Sequence, residues 1–72
     1  MKVGSKVRVI GVPTGLEDYP DFPTLSTFKR CVGREFAIEG FNEQGMAELS
    51  IASMTGSVGE TIWIETEFLQ LV

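Results

Sequence analysis

Few residues of this chain have side chains suited to catalysis. Cys31 is the only cysteine, and the sequence contains no histidine. A cysteine or serine nucleophile needs a neighbouring base, which is usually histidine. Arg30 would favour the Cys31 thiolate, but Phe28 and Val32 surround it with an apolar pattern, and free cysteines are among the most buried residues. We therefore expect a buried, inert Cys31 and no enzymatic activity.

Acidic side chains are the second candidates for chemistry. Glu17, Asp18 and Asp21 lie within five positions, and carboxylates are ligands for hard cations such as calcium. The spacing lacks the glycine and the closing glutamate of an EF-hand loop. A structural zinc site is also excluded, because one cysteine and no histidine do not supply four ligands. The sequence thus predicts a solvated acidic loop, with no metal and no cofactor.

Trp63 is the residue that most suggests binding. Alternation over residues 61–65 places Ile62 and Ile64 on the inner side of a strand and Trp63 on the outer side. An exposed tryptophan is a frequent hot spot of protein interfaces. The alternative is that Trp63 closes a minor core, covered by a loop or by Phe68. The candidate binding residues combine this strand with the acidic loop: Asp18, Tyr19, Asp21, Phe22, Trp63 and Glu65.

A β-hairpin over residues 35–51 is the clearest structural element. Two alternating apolar runs flank residues 42–45 (Asn-Glu-Gln-Gly), whose composition favours a type I turn. Pairing Phe41 with Met46 places Ile38 opposite Leu49 and Phe36 opposite Ile51 on one apolar face. The same register sets Glu39 against Glu48, which is unfavourable. A three-residue loop with a bulge at Gly45 would avoid this, at the cost of shifting the apolar faces. We keep the first register.

The rest of the chain divides into short elements. A strand pattern ends at Gly11 and Pro13, an exposed loop covers 14–23, and a two-turn helix follows, capped by Thr24 or Ser26 and ended by Gly33 in a left-handed conformation. A glycine- and serine-rich loop over 52–60 precedes two final strands, 61–65 and 68–72.

Length and composition limit the class of protein. Seventy-two residues suit one domain, 1–72, and a chain of this size buries roughly 60% of its unfolded surface. No apolar run approaches the ~18 residues of a membrane span. A lone cysteine fits a reducing compartment, so we expect a cytoplasmic protein that does not contact a membrane.

Charge is distributed unequally along the chain. All six basic residues lie in residues 1–34, whereas residues 35–72 carry seven glutamates and no Lys or Arg. In one interpretation the first and last strands are neighbours, and Lys6 and Arg8 neutralise Glu65 and Glu67. In the other, the late strands present an acidic face to a basic partner.

The motifs together resemble an SH3-like small barrel. The resemblance uses Gly4-x-x-Val7-x-Val9, a long proline-bearing loop, Val32 to Ile38, Ile62 to Glu65 and Phe68 to Val72. Phe28, Cys31, Gly33 and Arg34, followed by Ile-Trp-Ile-Glu, are also similar to a group of small bacterial proteins of no assigned activity. The resemblance implies a mainly β fold of about five strands with one short helix. It further implies binding to peptides, proteins or nucleic acids.

The function that these observations favour is a non-enzymatic protein-interaction module with an aromatic and acidic surface. We expect an unidentified, basic protein partner, and Phe41 with Met46 at the hairpin tip would suit a weak homodimer. Two alternatives stay open. One is a small structural subunit that docks through its hairpin face and strand edges. The other is a nucleic-acid accessory, which the pI near 4.6 disfavours and which would use Lys2, Lys6, Arg8, Lys29 and Arg34.

Overall fold

Five antiparallel strands form one open sheet in the computed structural model, which describes all 72 residues. The strand order across the sheet is β4-β3-β2-β1-β5, so β4 and β5 are its two edges. The strands are β1 (Lys6–Val9), β2 (Glu35–Phe41), β3 (Ala47–Ser50), β4 (Thr61–Ile64) and β5 (Leu69–Leu71). The predicted mainly β class, with five strands and a short helix, is confirmed.

Three helical segments connect the strands. They are α1 (Thr24–Cys31), the single turn α2 (Ala52–Thr55) and a 3-10 turn (Thr66–Phe68) just before β5. The predicted helix and its left-handed Gly33, with φ of +84°, are confirmed. Residues 52–60 were predicted to be loop throughout, and α2 is the exception. Four residues are too few to show helical periodicity, so α2 could not be predicted from the pattern.

The cap of α1 differs from the prediction. Neither Thr24 nor Ser26 caps the helix with its own side chain, and Ser26 lies inside the first turn. Instead, Asp18 accepts hydrogen bonds from the backbone N–H of Ser26, at 2.8 Å, and from the Ser26 hydroxyl. A carboxylate at a helix N-terminus satisfies a free N–H group and interacts favourably with the helix dipole. The acidic loop therefore anchors the helix.

The β2–β3 hairpin contains two compensating irregularities. Asn42 N–H donates to Met46 C=O and Gly45 N–H donates to Asn42 C=O, so the loop has three residues with Gly45 left-handed. Phe41 consequently lies opposite Ala47, and the predicted Phe41–Met46 pairing is wrong.

A second register shift, between Ile38 and Gly40, restores the predicted pairing of Ile38 with Leu49. This bulge also removes Glu39 from its predicted place opposite Glu48, where Gly40 now lies. The β2–β3 ladder ends at Ile38 and Leu49. Phe36 and Ile51 are therefore unpaired with each other, although both side chains are buried.

The core lies between the inner face of the sheet and α1. Alternate residues of the strands point inward, as strand geometry requires, and α1 covers them with Phe28 and Cys31. β1 begins at Lys6, and Val3, which precedes it, is exposed. The buried apolar residues are Val7, Val9, Phe28, Cys31, Phe36, Ile38, Ala47, Leu49, Ile51, Ile62, Ile64 and Leu69.

None of the helices combines the length and apolar character that crossing a membrane would require.

Candidate interaction surface

Trp63 lies on the outer face of the edge strand β4. Its neighbours Ile62 and Ile64 are buried, whereas 40% of Trp63 is exposed. The alternation predicted from the sequence is therefore present. Phe68, the residue that was considered as a cover for Trp63, instead packs against the core.

Glu48 lies directly opposite Trp63 in the β3–β4 ladder. Its Oε2 accepts a hydrogen bond of 3.1 Å from the Thr61 hydroxyl, and its Oε1 lies 3.6 Å from the position that a Cβ on Gly40 would take. This distance is ordinary van der Waals contact, so Gly40 borders the carboxylate without being required to make room for it. Thr61 and the neighbouring strand together hold a half-buried negative charge beside the exposed indole.

Glu65 follows β4 and, by strand alternation, lies on the same side as Trp63. Its Oε2 is buried and has no hydrogen-bond partner. A buried acceptor without a partner is costly, and native structures contain few of them. We refer to Glu48, Thr61, Trp63 and Glu65 as the β4 surface.

No cation neutralises the β4 surface. The structure has two ion pairs, Lys6–Glu35 at 3.9 Å and Arg8–Glu35 at 2.6 Å. The first and last strands are neighbours, as one interpretation required, since β1 pairs with β5. The predicted partners of Lys6 and Arg8, Glu65 and Glu67, are however wrong, and both bases pair with Glu35 of the adjacent β2. None of the glutamates near β4 is in an ion pair.

The remaining predicted binding residues lie in the loop between β1 and α1. Tyr19 and Phe22 exchange two backbone hydrogen bonds, of 2.9 and 3.1 Å, around the exposed tip formed by Pro20 and Asp21. About half of each aromatic side chain is exposed (54% for Tyr19 and 46% for Phe22). We refer to Asp18, Tyr19, Asp21 and Phe22 as the loop surface.

Asp18 has a structural role in this loop. Hydrogen bonds from the Ser26 hydroxyl and from the Ser26 backbone N–H lower the pKa of Asp18 from its usual 3.8. The helix cap occupies both carboxylate oxygens, because each accepts a bond from Ser26. Asp21, Tyr19 and Phe22 are the members of the loop surface whose side chains make no hydrogen bond.

The structure does not join the two surfaces. Strand pairing connects Trp63 with Glu48, and the loop hairpin connects Tyr19 with Phe22. No hydrogen bond, bridge or ion pair links one group with the other. Sequence reasoning missed Glu48 and Thr61. Alternation places Glu48 on the outer face of its strand, but its position beside Trp63 depends on a β3–β4 register that the intervening loop does not reveal.

Cys31 is fully buried, as predicted. Burial raises the pKa of the Cys31 thiol, and the nearby Arg30 and Arg34 guanidinium groups oppose this effect only in part. A raised pKa keeps the thiol protonated at neutral pH, and the thiol is a poor nucleophile. The structure also contains no pocket and no group of three metal-ligating side chains.

No family model, no curated protein and no solved structure matches this chain. The resemblance to an SH3-like barrel therefore stays a prediction.

Proposed function

We propose that this protein is a non-enzymatic interaction module that binds a basic protein segment at the β4 surface. The observation that carries the proposal is the pairing of a 40%-exposed tryptophan with an unneutralised carboxylate, Trp63 beside Glu48. Tryptophan is the best aromatic partner for a cation above its ring face, and a carboxylate nearby adds a charge-assisted hydrogen bond.

The charges around β4 indicate that the partner is positively charged where it binds. Residues 35–72 contain seven glutamates and no basic residue, and only Glu35 is in an ion pair. An acidic surface attracts a basic partner and repels an acidic one. Glu65 adds a second carboxylate on the Trp63 side of the sheet, and it too is in no ion pair.

Nucleic-acid binding has less support. Of the five basic residues that such a function would use, Lys6 and Arg8 already share Glu35. Neutralised bases release fewer counterions from a phosphate backbone and so contribute less affinity.

Affinity capture with the wild type and three variants tests the proposal. The wild type is compared with Trp63→Ala and with Phe41→Ala, and the proteins retained from a cytoplasmic extract are identified by mass spectrometry. Phe41 is a matched control, because 39% of it is exposed and it lies opposite Ala47, on the other face of the sheet. The double variant Tyr19→Ala/Phe22→Ala asks whether the loop surface takes part.

The expected result is a stoichiometric partner that the wild type and Phe41→Ala retain and Trp63→Ala loses. If the wild type, Phe41→Ala and Trp63→Ala all retain the same proteins, the proposal is overturned. Near-ultraviolet circular dichroism of Phe41→Ala and chemical denaturation of each variant check the fold. An unfolded Trp63→Ala variant would assign Trp63 to the core and remove it from the site.

A further inference from the structure

The outer edge of β4 carries backbone groups with no partner. Ile51 N–H donates to Glu60 C=O at 3.0 Å, which fixes the phase of the β3–β4 ladder. Since hydrogen-bonded and non-hydrogen-bonded pairs alternate in antiparallel strands, Ile62 and Ile64 bond to β3. The N–H and C=O groups of Thr61 and Trp63 therefore point away from the sheet, and no strand, bridge or hydrogen bond occupies that side.

The opposite edge of the sheet is less open. The bonds Ile10 N–H to Phe68 C=O and Val72 N–H to Lys6 C=O direct the backbone groups of Leu69 and Leu71 outward. The Leu69 N–H, however, is already used by the 3-10 turn, where it donates to Thr66 C=O. The edge of β4 thus offers the longer run of free backbone groups.

The β4 edge also lacks the usual protection against strand pairing. Natural edge strands carry Lys, Pro or a bulge, or are covered by another segment. The sequence of β4, Thr-Ile-Trp-Ile, has none of these residues, and its residues favour extended structure. Its flanking residues are Glu60 and Glu65, which repel a second copy of the same edge and attract a basic one.

We infer that the partner is an extended basic segment that adds to the sheet as a strand beside β4. This inference rests on the proposed function and specifies its mode. Hydrogen bonds to Thr61 and Trp63 hold the backbone of the segment. Its outward side chains are Lys or Arg, which meet Trp63 and Glu48, and its inward side chains are apolar and continue the face of Ile62 and Ile64. The segment therefore alternates basic and apolar residues.

A backbone modification separates strand addition from side-chain binding. The chain is assembled from two synthetic segments, residues 1–30 and 31–72, joined by ligation at Cys31. One protein carries an N-methyl group on the Trp63 amide, which removes an outward donor and keeps the indole. The matched control carries it on Val58, which is fully exposed and whose N–H makes no hydrogen bond.

The probes are three eight-residue peptides: alternating Lys and Val, the same composition as a block of four Lys and four Val, and alternating Glu and Val. Trp63 is the only tryptophan, so its fluorescence reports binding directly. We expect the alternating Lys peptide to bind best. N-methylation of the Trp63 amide should lower the affinity for this peptide by about tenfold or more. One hydrogen bond is lost, and the methyl group blocks the approach of the peptide backbone. N-methylation of Val58 should leave its binding unchanged.

Equal binding of the block and alternating peptides, or equal binding by the two N-methylated proteins, would overturn strand addition. Both results are compatible with a partner that contacts only the Trp63 side chain, so the proposed function would survive them. Absence of binding by every peptide at millimolar concentration would overturn a basic strand as the occupant. Captures that Trp63→Ala leaves unchanged would instead overturn the proposed function itself.

Discussion

Glu48 and Trp63 face each other across two strands, and the carboxylate is held in place by the Thr61 hydroxyl. A side chain that is already fixed loses little conformational entropy when a ligand binds. The negative charge and the indole thus form a preorganised pair. The contribution of the Glu48 charge to binding can therefore be measured separately from the packing of its side chain.

Glu48→Gln should lower the affinity for the alternating Lys peptide and leave the stability of the protein nearly unchanged. The amide oxygen still accepts the Thr61 hydrogen bond, but the charge is lost. We expect a three- to fivefold loss of affinity at low salt, on the order of that for one exposed ion pair. The loss should shrink as salt is added. The control is Glu43→Gln, at the exposed hairpin tip. An equal loss in the control would show that only net charge matters.

The hairpin turn depends on the side chain of Asn42. Its Oδ1 accepts from the backbone N–H of Gln44 at 3.0 Å and of Met46 at 2.9 Å. Asn42→Ala removes both bonds and should lower the free energy of unfolding by about 1–2 kcal/mol. Asn42→Asp keeps the Oδ1 acceptor of both bonds, and its stability should stay close to that of the wild type. Urea denaturation measures the difference. An Asn42→Ala variant with an unchanged free energy of unfolding would show that Gly45 alone determines the turn.

The Asp18 cap should make stability depend on pH in the acid range. Because hydrogen bonds from Ser26 lower the pKa of Asp18 in the folded protein, its contribution is fully present above the unfolded pKa of 3.8. It disappears as the pH falls from there through the lower folded pKa. The wild type should therefore lose its stability advantage over Asp18→Asn in this range, as measured by urea denaturation between pH 7 and pH 2. Asp21→Asn, with no hydrogen bond to lose, should show no such change.

The sequence was sufficient to identify the strands, the helix α1 and the inner faces of the strands, because these follow from local periodicity. Ile62 and Ile64 point inward, Trp63 points outward and Ile38 meets Leu49, as the pattern predicts. Local alternation does not predict the bulge at Glu39. It compensates for the three-residue turn, and only the combined requirement of turn geometry and a single apolar face selects it.

Contacts between distant residues were the main source of error. Local propensity predicted Thr24 or Ser26 as the cap of α1, whereas Asp18 in the preceding loop caps the helix. Charge asymmetry suggested that Lys6 and Arg8 meet Glu65 and Glu67, whereas Glu35 lies opposite Arg8 in the adjacent strand. For the same reason Glu48 was not recognised as part of the site, since its position beside Trp63 depends on the β3–β4 register.

Amide exchange in the free protein should alternate along β4. Ile62 and Ile64 donate to β3 and are buried, so their N–H groups exchange only when the sheet opens. Thr61 and Trp63 point outward, and their N–H groups should exchange faster by a factor on the order of a hundred, given the stability expected for so small a domain. Nuclear magnetic resonance resolves the four signals in deuterated buffer, and the measurement is repeated after tenfold dilution. Protection of Trp63 equal to that of Ile62 at both concentrations would mean that another part of the same chain covers the edge, so no partner strand could add there. Protection that is lost on dilution would instead identify a second copy of the chain as the occupant of β4.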